Sequence, residues 1–479
     1  MSESTINKQA CLGSLPPEWG QDLMPAIAVQ VRQEKIKTVI LDDDPTGTQT
    51  VHGIPVLTTW DAASLEQELN QPQSACFILT NSRGLARHEA CRLGQQIGEN
   101  IKQASLSAKV GVSIISRSDS TLRGHFPHEV DAVAQAMGES HLPYLICPFF
   151  LEGGRLTVGN VHYVAEGESL VPAARTAYAL DAAFGFYHSN LCQWVEEKTH
   201  GRIKADQVIC ITLDHIRTGG PDRVAEVLMT VPNQGACIVN AVSYRDVEVT
   251  VAGLQKAGAA GKRFLYRTAA SFVRVRTGVI PKPALLGPKD LLSGTGAGGL
   301  FVVGSYVPKT TAQVDALIEQ TDIFPIRISV EQMLNPLTQD SEIDRVISTC
   351  NRSLQAGKDT LVYTSRDLVR ADDPEQSLQI GQQVSQGLVR IVQQLACQPR
   401  YLLAKGGITS SDVATRGLGV KRAMVTGQAL PGVPVWELGP ESRYPGMHYI
   451  IFPGNVGTDD ALALILKQLD KNRTQGQPC

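Results

Sequence analysis

The chain has 479 residues, of which 43% are hydrophobic and 19% charged, with 43 Gly and 26 Pro. That length exceeds one ordinary core and implies two or three domains, and the composition excludes a disordered, collagenous or fibrous chain. Lys and Arg total 44 against 47 Asp and Glu, a net charge of −3, so no global basic field invites nucleic acid or an anionic membrane.

Residues 1–37 read as an N-terminal extension. They show no basic segment followed by an apolar one, so no signal peptide is expected. A spanning helix needs about 18 uninterrupted apolar residues, and no such run occurs. The 10 Cys have no CxxC or zinc-type spacing, and Cys76, Cys147 and Cys237 sit inside apolar runs. Free buried thiols in a reducing compartment account for this pattern, and a cytoplasmic location is expected.

From residue 38 onward short apolar runs alternate with amphipathic stretches. KTVILDDD, SACFILTNS, VGVSIISRS, YLICPFF, QVICITL and GACIVNAV read as buried strands. LARHEACRLGQQIGENIKQAS, between the second and third, has the apolar spacing of a crossover helix. The Gly- and Pro-rich stretch VRTGVIPKPALLGPKDLLSGTGAGG is the best linker candidate. The rhythm then resumes with LFVVGSY, DTLVYTS, RYLLAKGG and HYIIFPGN. The expected fold is two α/β domains with mostly parallel sheets and an active-site cleft between them. The boundaries are 38–284 and 285–470, with a frayed tail over 471–479.

Gly294, Gly296 and Gly299 satisfy GxGxxG but precede a strand instead of following one, so the dinucleotide reading is rejected. There is no GxxxxGK[ST], GxSxG or HExxH. The positive signals cluster at strand ends, where open α/β sheets bind ligands. Asp42-Asp43-Asp44-Pro45-Thr46-Gly47 follows the first strand. A carboxylate there could accept a proton from a substrate hydroxyl, hold a metal ion, or simply cap a solvated turn. Arg83 follows the second strand; Arg117, Asp119, Ser120 and Arg123 follow the third, in the run SRSDSTLRG. Guanidinium groups and hydroxyls in that arrangement can grip a carboxylate and polyol oxygens together, although an ordinary loop with an Asp–Arg pair is equally open. In the second half, Lys405-Gly406-Gly407-Ile408-Thr409 and Gly454-Asn455-Val456-Gly457 turn from strand to helix, and Gly304-Ser305 ends a third strand. Such turns expose backbone N–H groups to an anion, and together they suggest a phosphate-binding rim.

With these segments in hand, the chain resembles the four-carbon acid sugar kinases from about Thr38 to Leu469. The matching segments are Asp43-Asp44-Pro45-Thr46-Gly47, Arg117-Ser118-Asp119-Ser120-Thr121-Leu122-Arg123-Gly124, Gly304-Ser305, Gly406-Gly407-Ile408-Thr409 and Gly454-Asn455-Val456-Gly457. Arg117 stands where the family usually has Lys, Pro45 where Phe is common, and Ser411 where Gly is frequent. The resemblance implies an N-terminal domain that binds the acid sugar and a C-terminal domain that binds ATP. The implied reaction is Mg²⁺- and ATP-dependent phosphorylation of the terminal hydroxyl of threonate, erythronate or 3-oxo-tetronate.

On this reading Arg83, Arg117, Asp119, Ser120 and Arg123 hold the sugar acid, and Asp43 or Asp44 takes the hydroxyl proton. Ser305, Lys405, Gly406, Gly407, Ile408, Thr409, Gly454, Asn455 and Gly457 hold the nucleotide, and the residues that would hold Mg²⁺ stay open. The expected partners are small molecules, without nucleic acid or membrane, and a homo-oligomer is allowed. The alternatives are a kinase for another small hydroxy acid, or a non-catalytic sensor of sugar acid or nucleotide.

Overall fold

The computed structural model describes residues 4–282, 284–292, 296–304, 307–365, 374–454 and 456–470, the side chains of 374–379 excepted. Ser305, Asn455, Gly294 and the tail 471–479 lie outside the described residues. The chain divides into two compact units, Met1–Pro281 and Lys282–Cys479.

The strands of the first unit are β1 (Ile6–Asn7), β2 (Ile36–Asp42), β3 (Pro55–Leu57), β4 (Ala75–Leu79), β5 (Gly111–Arg117) and β6 (Tyr144–Cys147). They continue with β7 (Arg155–Val158), β8 (Val161–Glu166), β9 (Ser169–Pro172), β10 (Ile209–Ile211), β11 (Ala236–Val239) and β12 (Leu265–Thr268). Eight of them run side by side in the order β10-β11-β6-β12-β5-β2-β4-β3, with every described pairing parallel. Val39, Ile40 and Leu41 of β2 are all buried, as a strand covered on both faces requires. Each such side chain contributes about 1.5–3 kcal/mol by leaving water. The helix Arg87–Ala108 buries Ala90, Gly94, Ile97, Ile101 and Ala104, one stripe at helical spacing. A separate antiparallel sheet, β1-β9-β8-β7, ties in the N-terminal segment, as does the helix Met24–Gln33 through Met24, Ile27, Ala28 and Val31.

The second unit carries β13 (Leu300–Val303), β14 (Phe324–Ile328), β15 (Thr360–Thr364), β16 (Leu402–Lys405), β17 (Arg422–Leu430), β18 (Val433–Leu438) and β19 (His448–Phe452). Their order is β17-β18-β19-β16-β13-β15-β14; β17 and β18 pair antiparallel, as do β18 and β19, and the rest are parallel. Its core joins Phe301, Val303, Leu361, Leu403, Ile450 and Phe452 to Leu462, Ile465 and Leu466 of the helix Ala461–Asp470.

The protein is therefore two α/β domains with mostly parallel sheets. The two units share a path. The first strand is central, the second lies two places away, the third fills the gap, and the fourth pairs on the other side of the first. Strand order thus reverses at β2 and at β13, and the C-terminal ends flanking such a reversal form the ligand crevice of open α/β sheets. No described helix is long and apolar enough to cross a membrane.

Candidate functional site

In the first unit, the ends of four adjacent strands, β4, β2, β5 and β12, bring the charged residues together. Parallel register sets Asp42 opposite both Leu79 and Arg117, and Arg117 opposite Thr268. Past these positions the chain leaves the sheet, so Asp43, Asp44, Arg83 and Asp119 all emerge at one end.

Asp43 is held by Arg83, whose Nε donates to Oδ2 at 3.1 Å and Nη2 to Oδ1 at 2.8 Å, and Arg117 Nη1 lies 3.6 Å away. Arg117 Nη1 is also 3.2 Å from Asp42 Oδ1. Arg83 further reaches Asp44 at 3.6 Å and Asp119 at 3.9 Å. Arg123 Nε donates to Asp119 Oδ2 at 2.8 Å, and its Nη1 stands 3.5 Å from Asp181. Bidentate and shared contacts of this kind fix carboxylates far better than an isolated surface pair does.

The three consecutive aspartates are not equivalent. Asp42 is buried, and burial pushes its carboxyl up to about 8, against the opposing Arg117 charge and with help from Asp43 and Asp44. Gly47 is required beside it, because a Cβ there would fall 2.1 Å from both Asp42 oxygens. Asp44 caps the following turn: its Oδ1 accepts from Thr46 N at 2.9 Å and from Thr46 Oγ1 at 2.5 Å. Burial would raise Asp44, but Arg83 and the Thr46 hydrogen bonds overcome it and hold the carboxyl low. Its side chain is 21% exposed against 4% for Asp43. Asp119 is likewise held far below the usual carboxylate range, since Arg83, Arg123 and Thr121 outweigh its burial.

Two participants escaped the sequence. Glu129, in the helix His128–Met137, accepts from Ser82 Oγ at 3.0 Å, and burial with the nearby Asp43 charge raises it to about 7. Arg267 on β12 is fully buried, and its Nη2 donates to the carbonyls of Asp119 and Arg123. Neither stood out, because Glu129 looks like a helix-start acid and Arg267 interrupts a short apolar run. Ser120 is buried, and its carbonyl meets His162 Nε2 at 2.7 Å.

In the second unit, the loops after β13, β16 and β19 converge. Gly304 closes on Thr409: a Cβ at 304 would lie 2.3 Å from Thr409 Oγ1. Gly406 adopts φ 107° before the six-residue helix Gly407–Asp412, in which Ile408 is 66% exposed. Gly457 takes φ 83° ahead of the helix Ala461–Asp470. Asp460 caps that helix, its carbonyl accepting Leu464 N, so Thr458 lies before the cap and bonds Asp460 through its hydroxyl.

Lys405, expected among the residues that hold the nucleotide, turns its ammonium toward the neighbouring loop. It is fully buried, its Nζ donates to Pro453 O at 3.0 Å and approaches Gly454 O at 3.4 Å, and it sits 4.1 Å from the Phe452 ring centroid. Burial, with Lys309 nearby, lowers it to about 7. Gln313, unforeseen from sequence, donates Nε2 to Val456 O and Thr458 O and pins the same loop.

A sugar-binding N-terminal domain family matches residues 38–276, and a nucleotide-binding C-terminal domain family matches residues 300–462. The chain belongs to the four-carbon acid sugar kinase family. A D-erythronate kinase of Heliobacterium modesticaldum is 25% identical over 325 residues, covering 64% of this chain and 66% of that protein, just under two thirds of its length. Family membership is joined by likeness of fold. A Haemophilus influenzae protein of the DUF1537 family superposes with TM-score 0.60 at 18% identity, covering 90% of this chain and all of the other. A Salmonella typhimurium LT2 protein superposes with TM-score 0.64 at 16% identity, covering 91% of this chain and 99% of the other. The two family matches fall on the two units: the carboxylate–guanidinium cluster lies within the sugar-binding match, and the glycine-rich loops within the nucleotide-binding match.

Proposed function

We propose that the protein is an ATP-dependent kinase that phosphorylates the terminal hydroxyl of a four-carbon sugar acid: threonate, erythronate or 3-oxo-tetronate. The observation that carries this reading is the strand-end cluster of Asp43, Asp44, Arg83, Arg117 and Asp119 within a sugar-binding family match, in a chain whose other unit matches a nucleotide-binding family. The similarity to a D-erythronate kinase supports the same substrate class.

Asp44 accepts the hydroxyl proton. It is the most exposed carboxylate of the Asp42–Asp44 run, and its depressed pKa keeps it ionised. Arg83 holds Asp43 and Asp44 in place, while Arg123, Ser120 and Asp119 face the sugar acid. The backbone N–H groups around Gly406–Thr409 and Gly454–Gly457 receive the nucleotide phosphates. Lys405 serves by joining these loops. Mg²⁺ would arrive with the nucleotide, bound to its phosphates. There it would neutralise the charge that develops in phosphoryl transfer.

The test is ADP release from Mg·ATP against a panel of four-carbon sugar acids, with five-carbon acids and neutral tetroses as controls. Turnover confined to a tetronate supports the kinase. Silence across the panel, with both ligands still binding, would replace it with a sensor.

A further inference from the structure

The loop 118–124 turns through two positive-φ residues, Leu122 at 70° and Gly124 at 117°. A leucine resists that conformation, so the loop must be held from outside. The holding groups are buried side chains. Arg267 Nη2 donates to Asp119 O at 2.8 Å and Arg123 O at 3.2 Å. His162 Nε2 meets Ser120 O at 2.7 Å, and its Nδ1 meets Thr157 Oγ1 at 2.9 Å. A carbonyl can only accept, so Nε2 carries the proton and Nδ1 accepts from the threonine. Burial keeps that ring neutral, with its pKa lowered to about 4.

Arg267 is unlike the other guanidiniums of the cluster. Arg83, Arg117 and Arg123 each face at least two carboxylates, and their charges are neutralised inside the cluster. Arg267 is fully buried, lies 5.4 Å over the Trp194 ring and, among the described residues, makes no ion pair; its Nε and Nη1 have no hydrogen-bond partner. The Asp119 and Asp43 carboxylates act on it only from beyond ion-pair distance, and a buried charge without a close partner projects its potential through low-dielectric surroundings.

We propose that Arg267 is a positioning and specificity residue: it clamps the loop that presents Asp119 and Arg123, and its charge, which no close ion pair takes up, selects an anionic over a neutral sugar ligand. The selectivity half rests on the reading of this unit as the sugar-acid site; the clamp half does not.

The experiment compares the full-length protein with Arg267→Gln, which removes the charge but keeps a donor, Arg267→Lys, which keeps the charge, and His162→Asn, which disturbs only the loop support. Calorimetric titration uses erythronate and its neutral amide, and hydrogen exchange follows the amides of 118–124. In Arg267→Gln the preference for the acid falls at least ~10-fold, as expected for loss of a buried charge facing an anion. Its KM for the acid rises with KM for ATP unchanged. Arg267→Lys keeps the preference but exchanges faster across the loop, and His162→Asn does the same. An unchanged acid-to-amide ratio in folded Arg267→Gln overturns the selectivity claim. If that variant does not fold, unaltered loop exchange in Arg267→Lys overturns the clamp. A wild-type protein that binds no tetronate sinks the sugar-acid reading instead, and the exchange arm still decides the clamp.

Discussion

Three adjacent aspartates with three different environments carry the residue-scale argument. Asp43 is locked between two guanidiniums, and breaking such a buried pair costs about 3–5 kcal/mol, so its substitution would be read mainly as lost stability. Asp44 is the cleaner probe because it is partly exposed, accepts from Thr46 and meets Arg83 only at 3.6 Å. Asp44→Asn abolishes turnover and leaves nucleotide affinity within about threefold, since a neutral amide cannot take the proton. Retained turnover in that variant, measured beside nucleotide titration, removes Asp44 as the base. Asp42 makes a different prediction. Its folded pKa of about 8 lies above the unfolded 3.8, so the folded state binds the extra proton. The stability it contributes is fully present below about pH 4 and is lost as the pH rises through 8. Melting temperatures of wild type and Asp42→Asn, compared between pH 5 and 8, should show the steeper fall in the wild type. His162 and Lys405, shifted the other way, are common to both proteins and cancel in the comparison. Parallel curves would mean that Asp42 ionises normally.

Among the elements, the glycine-rich turns of the second unit act as a joined pair. Lys405 at the end of β16 reaches carbonyls of the loop after β19, and Gln313 pins that loop from the helix Pro308–Gln320. Lys405→Met keeps the stem's apolar packing on Phe452 but frees the loop carbonyls. Nucleotide affinity should drop by at least about tenfold, the loss expected when two buried acceptors go unpaired. Sugar-acid affinity should hold, and equal losses for both ligands would point to general unfolding. The elements themselves were unevenly legible. KTVIL and CFIL were plain because short, nearly continuous apolar runs bounded by polar residues allow little else. By contrast β12 was missed, since Arg267 and Thr268 break its apolar run. The hairpins of β7, β8 and β9 were missed because their alternation is short. For Arg267 the decisive neighbours lie 148 and 144 residues earlier in the chain, beyond any local pattern.

Taken whole, the protein has two units, one matched to a sugar-binding and the other to a nucleotide-binding domain family. Calorimetry should therefore resolve ligand effects: a tetronate raises the transition of the first unit and Mg·ATP that of the second. A single transition shifted equally by either ligand would refute independent binding. Local order determined the strand-ending loops, the glycines that permit tight turns, and the motifs by which the family is legible, because these depend on neighbours a few residues apart. Only the tertiary structure decided which aspartate is exposed, where Lys405 points, and that Arg267 supports the loop of Asp119. Burial, charge pairing and hydrogen-bond satisfaction depend on strands that meet only after the chain has crossed the sheet.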